Sequence, residues 1–214
     1  MAAQFPHSED ADPACGFTIG LALLDASTGK LGAALLHLAD DLEEALGVYE
    51  RTFAPQQPDG IAQARDIRVQ RIVPPIPSAA ESTGPEEAAR IAGAFPGHVR
   101  PLYAPAATDA YACTPAEHAL MRLTASCREA GVPWGGGLAC GGGSLIEPCA
   151  RGPRMGRMRR ARSERIDQLI AAIRSRRAVN DMIDGPASGI LLAPCPLPAP
   201  LYPLATNFYE RHCP

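Results

Sequence analysis

Trp134-Gly135-Gly136-Gly137-Leu138-Ala139-Cys140-Gly141-Gly142-Gly143-Ser144-Leu145-Ile146 sets six glycines around a three-residue apolar centre, with the only tryptophan of the chain at its front. A helix through it is disfavoured, because each interior glycine costs about 1 kcal/mol against alanine. A flexible linker would lack the Trp, Leu and Ile anchors. The stretch reads instead as a short strand over about residues 137–141, opening into a loop whose backbone needs positive φ or a close approach to something. In an open α/β sheet, a glycine loop at the carboxyl end of a strand lies on the ligand edge. A glycine turn without a ligand accounts for the same residues equally well.

A strand in a parallel sheet needs parallel neighbours, and the first is near the start of the chain. Residues 17–24, Phe-Thr-Ile-Gly-Leu-Ala-Leu-Leu, are almost all apolar, as expected of a strand buried on both faces. Asp25, Ala26, Ser27, Thr28, Gly29, Lys30, Leu31 and Gly32 follow. Then comes a helix whose inward face is Ala34, Leu35, Leu38, Leu42, Ala45 and Leu46. Asp40, Asp41, Glu43 and Glu44 form its wet face, and Gly47 is its expected stop. Strand, small polar loop, helix is a phosphate-binding arrangement, with free N–H groups and the helix dipole facing an anion. An ordinary βα turn with a capping hydroxyl reads the same. Lys30 adds charge there or stands in solvent.

The middle of the chain gives Val48–Phe53 as a second, edge-like strand and residues 67–73 as a third. In the third, Arg68, Gln70 and Arg71 sit awkwardly in what should be a central strand. The loop after it holds Pro74, Pro75, Ile76 and Pro77. A capping box at Thr83-Gly84-Pro85-Glu86 starts a short helix, and residues 98–104 make a fourth strand weakened by Pro101. The following loop carries Thr108, Asp109 and Tyr111. Thr114-Pro115-Ala116-Glu117 is a second capping box, opening a helix with Leu120, Met121, Leu123, Thr124 and Cys127 on one inward side and Gly131 at its end. His118, in its first turn, reads as a solvated helix histidine.

Beyond the glycine stretch, the segment from Arg151 to Arg162 is the most basic of the chain. Met155, Met158, Ile166, Leu169, Ile170 and Ile173 recur at helical spacing, so it joins an amphipathic helix to about Arg177 with a solvated basic face. Residues 181–214 form an apolar tail punctuated by Pro194, Pro196, Pro198, Pro200 and Pro203. Residues 1–16 form a loosely attached N-terminal segment and 17–180 the folded domain.

The net charge of −3 exerts no global pull on nucleic acid or anionic membrane. No apolar run is long enough to span a bilayer and nothing resembles a secretory signal, so the cytoplasm is expected. The seven cysteines are odd in number and scattered, without C-x-x-C, which argues against zinc and against a disulfide framework. No metal site is expected. Cys127 and Cys140 read as buried small hydrophobes.

The segment Trp134-Gly135-Gly136-Gly137-Leu138-Ala139-Cys140-Gly141-Gly142-Gly143 resembles the Trp-x-Gly-Gly-Leu-x-x-Gly-x-Gly segment of flavodoxin-fold proteins described as NAD(P)H-dependent FMN oxidoreductases. Ser27, Thr28 and Gly29 resemble their FMN-phosphate loop, and Leu201-Tyr202 with Asn207-Phe208-Tyr209 their C-terminal extension. The resemblance implies a flavodoxin-like three-layer α/β/α fold: a five-stranded parallel sheet of order 2-1-3-4-5 and a Pro-rich C-terminal extension packing on the domain or a neighbouring subunit, as in a homodimer. It implies FMN as cofactor and NAD(P)H as reductant of a small-molecule redox substrate. Ser27, Thr28, Gly29, Lys30, Leu31 and Gly32 would hold the phosphate. Pro75, Ile76, Thr108, Asp109 and Tyr111 would border the ring, with Gly142 and Gly143 nearby. The flavin carries such chemistry, so no catalytic side chain is required. The family's Pro-x-Tyr is missing after the third strand. A flavin-free interaction or assembly module is therefore the second reading, and a thiol-based redox protein using Cys113 or Cys140 the third.

Overall fold

Six strands build the sheet: β1 (Phe17–Ala22), β2 (Leu24–Asp25), β3 (Ile67–Ile72), β4 (Leu102–Ala107), β5 (Trp134–Cys140) and β6 (Ile190–Ala193). The computed structural model describes residues 17–27, 31–53, 67–72 and 101–212. Strand order is β3-β1-β4-β5-β6, with β2 pairing β4. Every pairing is parallel, as an alternation of strands and helices dictates. β1 and β2 behave as one strand broken at Leu23. The register against β4 is the same on both sides of the break, Leu21 facing Tyr103 and Leu24 facing Ala106, which puts Leu23 across from Pro105. Proline has no N–H to give, so the ladder is interrupted there.

Helices cover both faces. Helix α1 (Gly32–Phe53) and helix α4 (Arg160–Arg174) pack on one side, where Leu35, Leu38, Leu42, Ile166, Leu169 and Ile173 meet Ile19, Leu21, Tyr103 and Leu138. Helix α2 (Thr114–Glu129) packs on the other, with Leu120, Leu123 and Cys127 against Leu102, Ala104, Ala106 and Ala139. The architecture is thus α/β, with a parallel sheet between helical layers. The short α3 (Ile146–Cys149) follows β5, and α5 (Tyr202–His212) ends the described chain. The inward faces expected for α1 and α2 are the ones buried, except that Met121 of α2 points to solvent.

Several expectations are corrected. Val48–Phe53 is the last part of α1, not a strand, and Gly47 does not stop the helix. Tyr49 is recruited by packing: it lies against the core, and the Arg174 guanidinium sits over its ring at 5.3 Å. Residues 67–72 are not central. β3 is the outer strand beside β1, which removes the difficulty of its charges: Arg71 reaches Glu43 and Asp40 of α1, each at 2.7 Å. β4 begins later than expected and runs through Pro105 to Ala107. The fifth strand position is filled from the proline-rich tail, because Ile190–Ala193 pairs with β5 from Gly137 to Cys140. Thr114 does not cap α2; Cys113 stands at the cap position without a side-chain bond. Gly131, at φ +70°, ends that helix as expected. The helix expected after Thr83 lies outside the described residues.

The basic segment is less helical and less solvated than its periodicity suggests. Residues 151–159 are turns, and Met155 is exposed. Arg159 is buried, donating to the carbonyls of Ala150 and Gly152, each at 2.5 Å, and to the carboxylate of Asp41, itself buried on the supposed wet face of α1. Arg160 pairs with Glu164 in solvent, and Arg154 with Asp167. Among the described residues no helix is long and apolar enough to cross a membrane.

Candidate functional site

The carboxyl ends of β2, β4, β5 and β6 lie side by side, so their loops share one edge of the sheet. Ligand crevices form where connections on this edge diverge to opposite faces. Here that point lies between the β1/β2 strand, whose outer neighbour is β3, and β4. The loop after β2 is organised by Asp25. Its buried carboxylate accepts the Ser27 N–H at 2.8 Å, the Ser27 hydroxyl at 2.6 Å and the Leu31 N–H at 2.8 Å. One acidic side chain therefore closes the loop on itself and satisfies the first donor of α1. Leu31 in turn accepts the Leu35 N–H, so α1 starts at Gly32, which is exposed, with open space where a Cβ would stand. The first-turn N–H groups that follow have no intrahelical acceptor, and no acidic residue occupies that turn. Of the expected phosphate residues, Ser27, Leu31 and Gly32 thus meet at the start of α1. Thr28, Gly29 and Lys30 lie outside the described residues, as do Pro75 and Ile76.

The loop after β4 runs next to it. The Thr108 N–H donates to the Cys140 carbonyl at 3.0 Å, and the Thr108 hydroxyl accepts the Ala110 N–H at 3.2 Å. Tyr111 donates its hydroxyl to the Leu197 carbonyl at 2.9 Å, and its ring meets that of Tyr202 at 5.8 Å. The Tyr202 hydroxyl donates to the Asp109 carbonyl. Tyr111, Asp109 and the C-terminal segment are therefore tied together, an arrangement that no pattern within the loop announces.

The glycine loop after β5 is filled by the protein. A side chain on Gly141 would stand 2.6 Å from the Tyr111 carbonyl oxygen and 3.0 Å from the Cys113 nitrogen. Gly142 has φ +66°, and a Cβ there would lie 2.8 Å from Cys195 Sγ. The N–H groups of Gly141, Gly142 and Gly143 donate to the carbonyls of Ala193, Ala110 and Thr108 at 3.1, 2.8 and 2.7 Å. The expected close approach is real, but the partner is the chain's own backbone. Gly142 and Gly143 consequently lock the neighbouring loops together and have no N–H left for a ligand.

The thiols beneath this edge are quiet. Cys113, Cys127, Cys140, Cys149 and Cys195 are all free. Burial pushes Cys140 up to about 12, against a smaller opposing effect of Arg162, and burial likewise raises Cys113. A nucleophilic thiol needs the opposite shift, so the geometry does not favour thiol-based redox chemistry at either residue. Among the described residues no group of three or more His, Cys, Asp or Glu could hold a metal ion.

Among the described residues, the fold and edge define an α/β protein with a parallel sheet and an exposed helix start at its crevice. Comparison with protein-family models, with curated proteins and with solved structures finds no match.

Proposed function

We propose that the chain is a flavodoxin-like FMN-binding oxidoreductase, passing hydride from NAD(P)H to a small acceptor. Counted with β1 and β2 as one strand, the order β3-β1-β4-β5-β6 reads 2-1-3-4-5. The observation that carries the reading is the exposed start of α1 at Gly32, without an acidic residue in its first turn, lying at the crevice of that order. There the helix dipole and first-turn N–H groups favour a phosphate, and residues 27–32 would hold it. Thr108, Asp109 and Tyr111, on the adjoining loop, would border the ring. The flavin supplies the hydride chemistry, and the chain's own part is to hold and orient it.

The flavin-free module is supported by a specific observation too. The Asp25 carboxylate already takes two backbone donors of the phosphate loop and sits close to the place of a phosphate. At roughly 6 Å and an effective dielectric near 20, two unit charges repel by about 3 kcal/mol.

A flavin titration followed by fluorescence separates the two readings. Wild type is expected to bind FMN, and replacing both Thr28→Glu and Gly29→Glu to weaken it by about 2–3 kcal/mol, through lost charge-assisted bonds and added repulsion. Unchanged affinity in the double variant moves the phosphate elsewhere. A well-folded wild type that binds no flavin leaves the module reading.

A further inference from the structure

We propose that the crevice between the carboxyl ends of β5 and β6 and the start of α4 is an anion site, taking a phosphate group through the Arg162 guanidinium. Arg162 lies in the first turn of α4 and is only 9% exposed. Its side chain makes no hydrogen bond or ion pair with any described residue, and its buried Nε has no partner. Arg159, one turn earlier and equally buried, shows what such a group normally secures: two carbonyls and a carboxylate. Guanidinium stays charged at any physiological pH, and a buried charge without an acceptor is strongly unfavourable. No described residue supplies a counter-charge here. The thiols that feel Arg162, Cys140 and Cys149, are both held protonated by burial.

Arg162 lines a crevice with Cys140, Gly141, Met158, Ala161 and Pro194. The loop glycines cannot serve it, since their N–H groups are spent on carbonyls. The N–H groups of Ala161 and Arg162 are different. They precede the first bond of α4, from Ser163 to the Arg159 carbonyl, and have no acceptor among the described residues. No acidic residue stands in that turn. Ala161 and Arg162 both line the crevice, which thus brings a guanidinium fork, two open N–H groups and a helix start to one place, a donor set suited to an oxyanion of high charge. The interior of the crevice has room for about one water-sized group. That admits one oxygen, so the rest of the phosphate lies at the mouth. The crevice is at the β5–β6 end of the sheet, whereas the flavin loop leaves β2, so the assignment does not rest on flavin binding.

The test is the melting temperature of the full chain in phosphate, in glycerol phosphate, in acetate and in chloride at equal ionic strength, for wild type and for Arg162→Met. Wild type is expected to gain about 5–10 °C at phosphate a hundredfold above its dissociation constant. A gain from glycerol phosphate as well assigns the site to phosphate esters, and a gain from inorganic phosphate alone to the free ion. Arg162→Met should melt at or above wild type in chloride, since it removes an unpaired buried charge, and should ignore phosphate. Arg162→Lys, which retains the charge, covers the case of a poorly folded Met variant and should keep part of the gain. Backbone amide shifts at Gly141 and Ala161 on adding phosphate provide a readout independent of stability. No gain over chloride in wild type, an equal gain from acetate, or a gain surviving in Arg162→Met, as from phosphate on residues 27–32, overturns the assignment.

Discussion

The loop after β2 and the loop after β5 leave the same edge of the sheet, yet one is closed by a charge and the other by missing side chains. In the first, the buried Asp25 carboxylate gathers three donors and ties Ser27 and Leu31 to the end of β2. In the second, backbone meets backbone because Gly141 and Gly142 carry nothing between them and the residues behind. A charge can be outcompeted by a ligand or by solvent, whereas a steric closure cannot open without rebuilding its neighbours. The first loop is therefore the one suited to receive something, and the second is scaffold. The glycine-rich stretch looks like the functional loop, yet its N–H groups are spent on the chain's own carbonyls, while the less conspicuous segment is held by a single carboxylate.

The largest effect is expected from filling the second loop. Gly141→Val would drive a branched side chain into the Tyr111 carbonyl and the Cys113 backbone, neither of which is a flexible side-chain end. We expect a loss of about 4 kcal/mol, with the melting temperature lower by roughly 8–16 °C. A variant within about 1 kcal/mol of wild type by urea unfolding would show that this loop has slack and that the contrast fails.

Opening the first loop should cost less. Asp25→Ala leaves the Leu31 N–H without its buried acceptor and releases Ser27. The expected loss is about 2–3 kcal/mol, as for a hydrogen-bonded buried carboxylate. Asp25→Asn, which keeps an acceptor oxygen, should lose roughly half of that. No loss in Asp25→Asn would mean that shape, not charge, closes this loop too.

Alkaline unfolding sharpens the comparison further. Beneath the glycine loop, burial pushes the Cys140 thiol from its ordinary 9.0 up to about 12. The unfolded chain gives up this proton first, so the contribution is full below pH 9 and is lost as pH rises to 12. The part lost by pH 10 is on the order of 1 kcal/mol. Urea midpoints of wild type and Cys140→Ala at pH 7 and pH 10 measure it. The variant should lose less on going to pH 10, and equal losses would place the alkaline sensitivity elsewhere.

Much of the framework is legible in the sequence, and the rest fails for identifiable reasons. The apolar run of β1, the 3.6-residue spacing of α1 and the glycine-broken β5 each declare themselves locally. Val48–Phe53 does not, because its strand-favouring residues are overruled by an already propagating helix and by the Arg174–Tyr49 contact. β3 shows its outer position in its charges, but only once Arg71 is seen to meet Asp40 and Glu43 across the layer. β6 is four apolar residues between glycine and proline, too short for periodicity to separate strand from loop. In the site, small polar residues announce the loop at Ser27. Asp25 as its organiser, Asp41 as the partner of Arg159, and Arg162 without one all depend on contacts distant in sequence. Local patterns specify local structure, and buried charges are defined by whatever the fold brings to them.

The smallest expected effect bears on what Tyr111 does. As a flavin wall, Tyr111 would contribute its ring face. In the structure its hydroxyl holds the Leu197 carbonyl and its ring leans on Tyr202, which makes it a strap between the β4 loop and the C-terminal segment. Tyr111→Phe removes only the partly exposed hydroxyl bond, for a loss of about 0.5–1 kcal/mol. Tyr111→Ala also removes the aromatic contact, worth roughly a further 0.5–1.5 kcal/mol. The two functions separate in a flavin titration. A strap that also walls the flavin keeps its affinity in Tyr111→Phe and loses it in Tyr111→Ala, because only the second lacks a ring. A strap alone loses stability in both, by unequal amounts, with flavin affinity unchanged in each. Loss of affinity in Tyr111→Phe would tie binding to the position of the C-terminal segment, and the loop after β4 would then join the loop after β2 as a closure that a ligand can sense.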